Sequence, residues 1–577
     1  MIERKFHGIQ YPAWLARLSC RLIVGLALLF PGFASAGFGL DVSPDIYTVD
    51  TGAGLTFKVR RTNWGTLKAG DIVSINYQGV EYHNRTRGSQ VNAGFDWLYS
   101  GVTSVDVEAT TRGEDFIKIT VQAGDLTHYY MARRGYPHIY MATYFTREPD
   151  IHNHVRYILR LNSDMVPNGP EPSDIRGNYP AIEASDIFGL PNGETRSKHY
   201  SNERLKDWSF IGARGGNVGM WIVRDRYEGG SGGPFYRSLL NQATDTQQQL
   251  TYIVNYGEAQ TEKFRTGILN SYTFVVTNGS APDTNLDTSW FSKMDLKGFV
   301  PPAERGLVAG VGLNGKDSRY EYTVGFASHK GQYGSQYGAQ YWADASDGFF
   351  KVTDMLPGTY DVTVYKNELE VLRLEGENAV TVKAGGKTLL NTLDINKDPS
   401  FDAAIWRIGE WDGTPLEMLN GDVLTTMHPS DSRIPTWDPG NYIVGRDQAS
   451  KFPAYLWKDI NNDHVIYFKL SEAELAKAHT LRIGITCAFA KARPLVRLNG
   501  KWQSSFYEKP SKQPNTRTLT IGTYRGNNHT HQFDIPADAW RQDPGDWNKM
   551  TISVISGSGG SGYLSAGFSV DSIDLLR

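Results

Sequence analysis

The chain has 577 residues, with 59 Lys and Arg against 62 Asp and Glu for a formal net charge of −3, and it carries two cysteines. This balance lacks the basic excess of a nucleic-acid-binding protein, and the length calls for several domains. Residues 1–36 read as a secretory signal peptide. Arg4, Lys5, Arg17 and Arg21 precede the apolar run Leu22 to Phe30, and Ala34-Ser35-Ala36 supplies a small-residue cleavage site near Ala36. The apolar run is short for a bilayer, and no later stretch approaches membrane length. A secreted protein without a membrane partner is expected. Taking the four basic residues and one acidic residue of the leader from 59 and 62 leaves a net charge near −6. Cys20 goes with the leader, so Cys487 stands alone and no internal disulfide is expected.

From Gly37 to about residue 295, short alternating runs rich in Val, Ile, Thr and Tyr are broken by Gly, Asn and Asp. Asp71 to Tyr77 and Phe116 to Val121 are examples. Period-two patterning without a competing long amphipathic helix predicts a large all-β sandwich, with one broad sheet face available as a groove. Three stretches here carry useful chemistry: Thr195 to Ser201, the glycine-rich Tyr227 to Phe235, and Asn255 to Glu262. Side chains alternate along a strand, so Arg196, Lys198 and Tyr200 would share a face suited to an acidic ligand. The glycine run ends in Pro234 and Phe235 and lacks the Lys-Ser/Thr of a phosphate loop. Arg156 is a candidate fixed cation for a carboxylate.

Residues 296–396 have the rhythm of a small fibronectin III-like sandwich, including the turn and strand Met355 to Tyr365. Residues 400–577 are strand-rich again and hold Trp406, Trp411, Trp437, Trp457, Trp502, Trp540 and Trp547. This density fits a jelly roll of the carbohydrate-binding kind, although buried tryptophans would read the same way. Asp412 and Asp571 could share a structural calcium if the terminal strands pair.

The motifs Thr195-Arg196-Ser197-Lys198, Ser231-Gly232-Gly233-Pro234-Phe235, Gln260-Thr261-Glu262, Ile408 to Gly413 and Met427 to Arg433 resemble those of rhamnogalacturonan endolyases, polysaccharide lyase family 4, of a bacterial secreted type. The resemblance runs through the whole chain after the leader. It implies a catalytic β-sandwich, a fibronectin-like domain and a carbohydrate-binding-like jelly roll. It also implies β-elimination at the α-1,4 bond between rhamnose and galacturonate in pectic rhamnogalacturonan I, by a monomer needing no cofactor for catalysis. The family's proton-donating lysine carries over to Lys198, and its uronate-binding arginine to Arg156. Its histidine acceptor does not carry over, because Glu258 stands in its place. Tyr252 lies between Thr251 and Ile253, which align with the tyrosines preceding that histidine, and with Arg196 it is expected to bind substrate.

Elimination removes the C5 proton beside a carboxylate, which requires the carboxylate charge to be neutralised as the carbanion-like state develops. Arg156 can do this, Lys198 can protonate the leaving oxygen, and Glu258 can act as base if desolvation raises its pKa. Two other readings stay open. A hydrolase would pair Glu258 with Glu228 or Glu262, and a non-catalytic wall-binding protein would need only the tryptophan-rich region.

Overall fold

The computed structural model describes residues 37–577 apart from 92–103, 150–153, 178–180, 184–186, 198–203, 231, 237–240, 257–263, 332–337, 423–427, 506–508, 511–512 and 514–527. The leader, Lys198 and Glu258 lie outside the described residues. The α-helix found among the described residues is the four-residue Glu472–Leu475, and the architecture is all-β as expected.

The first region stacks a seven-stranded antiparallel sheet against a four-stranded one, with a five-stranded meander of residues 39–81 packed onto the same core. Strand alternation makes this core. Along Phe116–Ala123, Ile117, Ile119 and Val121 are buried on one side. Facing them from the four-stranded sheet are Tyr157 and Leu159 of His154–Asn162, with Leu250 and Tyr252 of Gln247–Tyr256. The far side of the seven-stranded sheet, including Tyr129, Met131 and Tyr140, is sealed by Trp290, Phe291, Met294 and Leu296.

The middle region, from about Gly306 to Asp394, is a smaller sandwich of a three-stranded and a five-stranded sheet around Val324, Phe326, Val362 and Val364. The C-terminal region packs two five-stranded sheets. Trp406, Trp411, Trp437, Trp457 and Trp540 are buried, while Trp547 is exposed with the Lys469 ammonium over its ring. Most of the tryptophan signal is therefore core packing.

The joint between the first and middle regions is built on a buried ion pair. Glu228, in the glycine-rich stretch, receives both Nη1 and Nη2 of Arg305 at 2.9 and 3.0 Å and the Tyr341 hydroxyl at 2.6 Å. Arg305 also donates to the carbonyls of Val300 and Asp354. Burial opposes ionisation of Glu228, but the Arg305 guanidinium outweighs it and holds the carboxyl below its ordinary value of 4.5. Gln340 completes this joint, receiving the Gly233 N–H at 3.0 Å and donating its own N–H to the Glu228 carbonyl. On the C-terminal side, the N–H groups of Glu368 and Leu369 donate to the Asp412 carbonyl. Gly413 sits there with φ +86°, where an added Cβ would lie 2.3 Å from the Leu369 nitrogen, so only glycine allows the approach.

Glu228→Ala would leave the Arg305 charge buried with its partner removed and should lower unfolding free energy by about 3–5 kcal/mol, measured by urea denaturation near neutral pH. Because the folded carboxyl is depressed, its contribution is complete above 4.5 and is lost as pH falls through the lower folded value. The gap between wild type and variant should therefore close in acid.

Candidate active site

The face of the four-stranded sheet away from the core is polar, and strand register explains how. His154–Asn162 pairs antiparallel with Gln247–Tyr256, setting Arg156 opposite Ile253, Ile158 opposite Thr251 and Arg160 opposite Gln249. The flanking strands extend two of these rows, with Gln90 beside Ile158 and Gln242 beside Gln249. Directly opposed residues share a face, so Arg156, Arg160, Thr251, Gln249, Gln90 and Gln242 line one largely polar face together with Ile158 and Ile253, with Arg156, Gln249 and Ile253 half-buried and the others buried. The register shifts between Val155 and Arg156. A bulge there locally re-aims the strand that carries Arg156.

Arg160 is the functional candidate that the sequence reading missed, although it lies in the same strand four residues on. It is buried, donates Nη1 to the Gly88 carbonyl at 2.8 Å, and is pushed down to about 10 by burial, with Arg87 and Arg156 adding like-charge repulsion. Like charges kept together on one sheet face favour an anionic ligand. The spacing Arg-x₃-Arg on a predicted strand could have shown this, since both residues have the same parity.

Tyr252 is a correction. It has the parity of Tyr157, its cross-strand partner, and so belongs to the core at 3 % exposure. Its ring stacks on Tyr272 at 4.1 Å between centroids, its hydroxyl donates to the Arg226 carbonyl at 2.8 Å, and burial pushes the phenol up. A side chain so placed cannot touch a polymer lying on the opposite face. Arg196 is mostly buried and is bound by Glu171, whose carboxylate receives Nη2 at 2.8 Å and whose carbonyl receives Nη1. Glu228, a possible hydrolytic carboxylate, is committed to Arg305.

The strand Thr195–Ser197 precedes Lys198 directly. It forms a three-stranded sheet with Ala181–Glu183 and Ile187–Gly189. Thr195 and Ser197 are buried on the side away from Arg196.

Asp412 and Asp571 do meet, as the pairing of Ala404–Gly409 with Gly567–Leu576 requires. Asp571 Oδ1 accepts the N–H groups of Asp412 and Gly413 at 3.2 and 2.7 Å, while Oδ2 is buried without a hydrogen-bond partner. Asp412 accepts from Thr414 and from Asn367. Burial pushes Asp412 up to about 6 and Glu417 to about 8, and burial with the Asp412 charge pushes Asp571 well up. Among the described residues no group of three or more His, Cys, Asp or Glu side chains is placed to hold an ion. The orphaned Asp571 oxygen is a single carboxylate donor, short of the six to eight oxygens that calcium takes.

Three family models match in chain order. "Rhamnogalacturonan lyase B, N-terminal" covers residues 38–298, "Polysaccharide lyase family 4, domain II" covers 306–390, and "Polysaccharide lyase family 4, domain III" covers 404–575. The chain is 37% identical over 560 residues to the probable rhamnogalacturonate lyase A of Aspergillus terreus, covering 96% of this chain and 98% of that protein. It is 37% identical to rhamnogalacturonate lyase A of Emericella nidulans, covering 97% and 100% respectively. To that of Aspergillus aculeatus it is 36% identical, covering 94% and 97%. These relatives are fungal, whereas the motifs resemble those of a bacterial secreted type. With such identity sustained from end to end, the chain belongs to polysaccharide lyase family 4.

Proposed function

We propose that this chain is a lyase of the pectic rhamnogalacturonan I backbone. It cleaves the α-1,4 bond between rhamnose and galacturonate by β-elimination and leaves an unsaturated galacturonate at the new non-reducing end. The observation that carries this is the near-full-length identity with rhamnogalacturonate lyases, and the polar sheet face bearing Arg156 and Arg160 is chemically matched to a polyuronate. The working division is a leader over 1–36, a catalytic region over 37–295, a fibronectin-like region over 296–396 and a jelly roll over 400–577. The protein acts outside the cell as a monomer. Among the described residues no helix is long and apolar enough to cross a membrane.

In this reading Arg156 holds the galacturonate carboxylate and stabilises the charge that builds up as the C5 proton leaves. Glu258 takes that proton and Lys198 gives one to the departing rhamnose oxygen. An ordinary lysine, with a pKa of about 10.4, stays charged at neutral pH and suits the donor role. The catalytic steps use no cofactor. The hydrolase alternative loses Glu228 to its ion pair, and the binding-protein alternative leaves the Arg156 face without a task.

Digestion of rhamnogalacturonan should raise ultraviolet absorbance, because elimination creates a conjugated double bond. Chain cleavage without that absorbance would mark a hydrolase. Lys198→Ala should reduce turnover at least about a hundredfold with KM largely kept.

Glu258→Gln should nearly abolish turnover. Glu258→His should recover part of it, with the acidic limb of the rate profile moving towards about 6.5. An active Glu258→Gln variant with an unmoved acidic limb would exclude Glu258 as the base.

Tyr252→Phe removes one buried hydrogen bond and should cost about 1 kcal/mol of stability while kcat/KM stays within about twofold. A tenfold loss of kcat/KM would return Tyr252 to the substrate site.

A further inference from the structure

The three-stranded sheet ending at Ser197 is built from strands of three residues each, too short to hold a geometry unaided. It is gripped by a loop from the C-terminal region, more than 230 residues away. Thr195 donates its N–H to Asp431 Oδ2 at 2.8 Å and its hydroxyl to the same oxygen at 3.2 Å, and Thr195 Oγ1 accepts the His428 N–H at 3.1 Å. Asp431 is itself fixed by the Arg433 guanidinium, with Nε on Oδ1 at 2.9 Å and Nη2 on Oδ2 at 2.8 Å, and by the Arg433 N–H.

Two further contacts complete the grip. His428 Nε2 lies 2.7 Å from Glu183 Oε2 in the first strand of the sheet, and its Nδ1 lies 2.7 Å from Ser430 Oγ. The Ser432 N–H donates to the Gly193 carbonyl at 2.9 Å. Gly193 turns the chain into the Thr195 strand with φ +85°, and an added Cβ would lie 2.9 Å from that of Ser432. The loop therefore touches the sheet at Glu183, Gly193 and Thr195, and Glu183, Thr195, His428 and Asp431 are all buried.

We propose that the His428–Arg433 loop is a positioning element of the lyase reaction, fixing the Thr195–Ser197 strand from which Lys198 follows directly. This rests on the reading of Lys198 as proton donor. A docking surface needed only for cohesion could be apolar, and replacing buried charge by well-packed apolar groups is often neutral or stabilising. Directional bonds that converge on Thr195 do something cohesion does not, because they set the strand's register and rotation. The effect on rate follows from how steeply proton transfer depends on placement, where a displacement of about 1 Å can cost about a hundredfold. The C-terminal region on this account takes part in catalysis by holding that strand.

The test uses the full-length chain on rhamnogalacturonan. Thr195→Val and Asp431→Asn should each lower kcat at least about tenfold with KM within about twofold, while Thr195→Ser, which keeps the hydroxyl and the N–H, should stay near wild type. In a Lys198→Ala background, Asp431→Asn should lower the residual rate no further. The proposal is overturned if kcat is unchanged in Thr195→Val and Asp431→Asn, if Thr195→Ser is as impaired as Thr195→Val, or if Asp431→Asn lowers the rate equally in both backgrounds. Circular dichroism accompanies each variant. Should Asp431→Asn fail to fold, the comparison of Thr195→Val with Thr195→Ser decides on its own. Near-normal turnover of Lys198→Ala alone would overturn the lysine reading itself, and that result is obtained without any change to the loop.

Discussion

A charge removed from water must meet its counter-charge in a fixed geometry or cost several kcal/mol, and the joints of this chain are built on that constraint. Glu228 and Arg305 meet where the catalytic region abuts the middle one, both with side chains about 4 % exposed. Asp431 is satisfied partly from its own loop by Arg433 and partly across the joint by Thr195. Arg482 and Asp574 pair inside the C-terminal region, and Trp411 donates its Nε1–H to the same Asp574 while its ring lies in the core of the middle region. Each joint is therefore directional, and the regions are held in one arrangement where a greasy contact would let them slide.

This arrangement bears on the reaction because of which segments the joints hold. The glycine-rich stretch is fastened by Arg305, Gln340 and Tyr341, with Tyr227 stacked on Trp342 at 3.9 Å. The Thr195 strand is fastened by the His428–Arg433 loop. Arg156 and Arg160 need no such help, since they stand on a nine-residue strand in the middle of a sheet that is packed on a large core. The strand bearing Arg156 and Arg160 thus rests on a rigid sheet, and the segment that leads to Lys198 rests on contacts between regions.

The strands were legible in the sequence because their signal is local. Alternation in Phe116–Ala123 and in Gly358–Lys366 is complete within each run, and the all-β architecture follows from it. Register is not local, and the miss at Tyr252 shows why. Its parity relative to Arg156 depends on which residues pair across two strands and on a bulge at Val155 and Arg156, information held about a hundred residues away. Glu228 read as a possible catalytic acid because its partner Arg305 is 77 residues distant. The His428–Arg433 motif could be recognised by resemblance, but its task could not be read, since its partners Glu183, Gly193 and Thr195 lie in another region. The tryptophans gave the right architecture for a partly different reason, most of them being core.

The central claim is that the His428–Arg433 loop holds the Thr195–Ser197 strand in place. Hydrogen–deuterium exchange followed by mass spectrometry, at increasing sub-denaturing urea with lyase activity assayed in parallel, tests it most directly. The account predicts that peptides containing 195–197 and 428–433 lose protection at the same urea concentration, and that activity falls with them while the Tyr157 to Leu161 peptide stays protected. Loss of protection at 428–433 with 195–197 still protected and activity intact would contradict it.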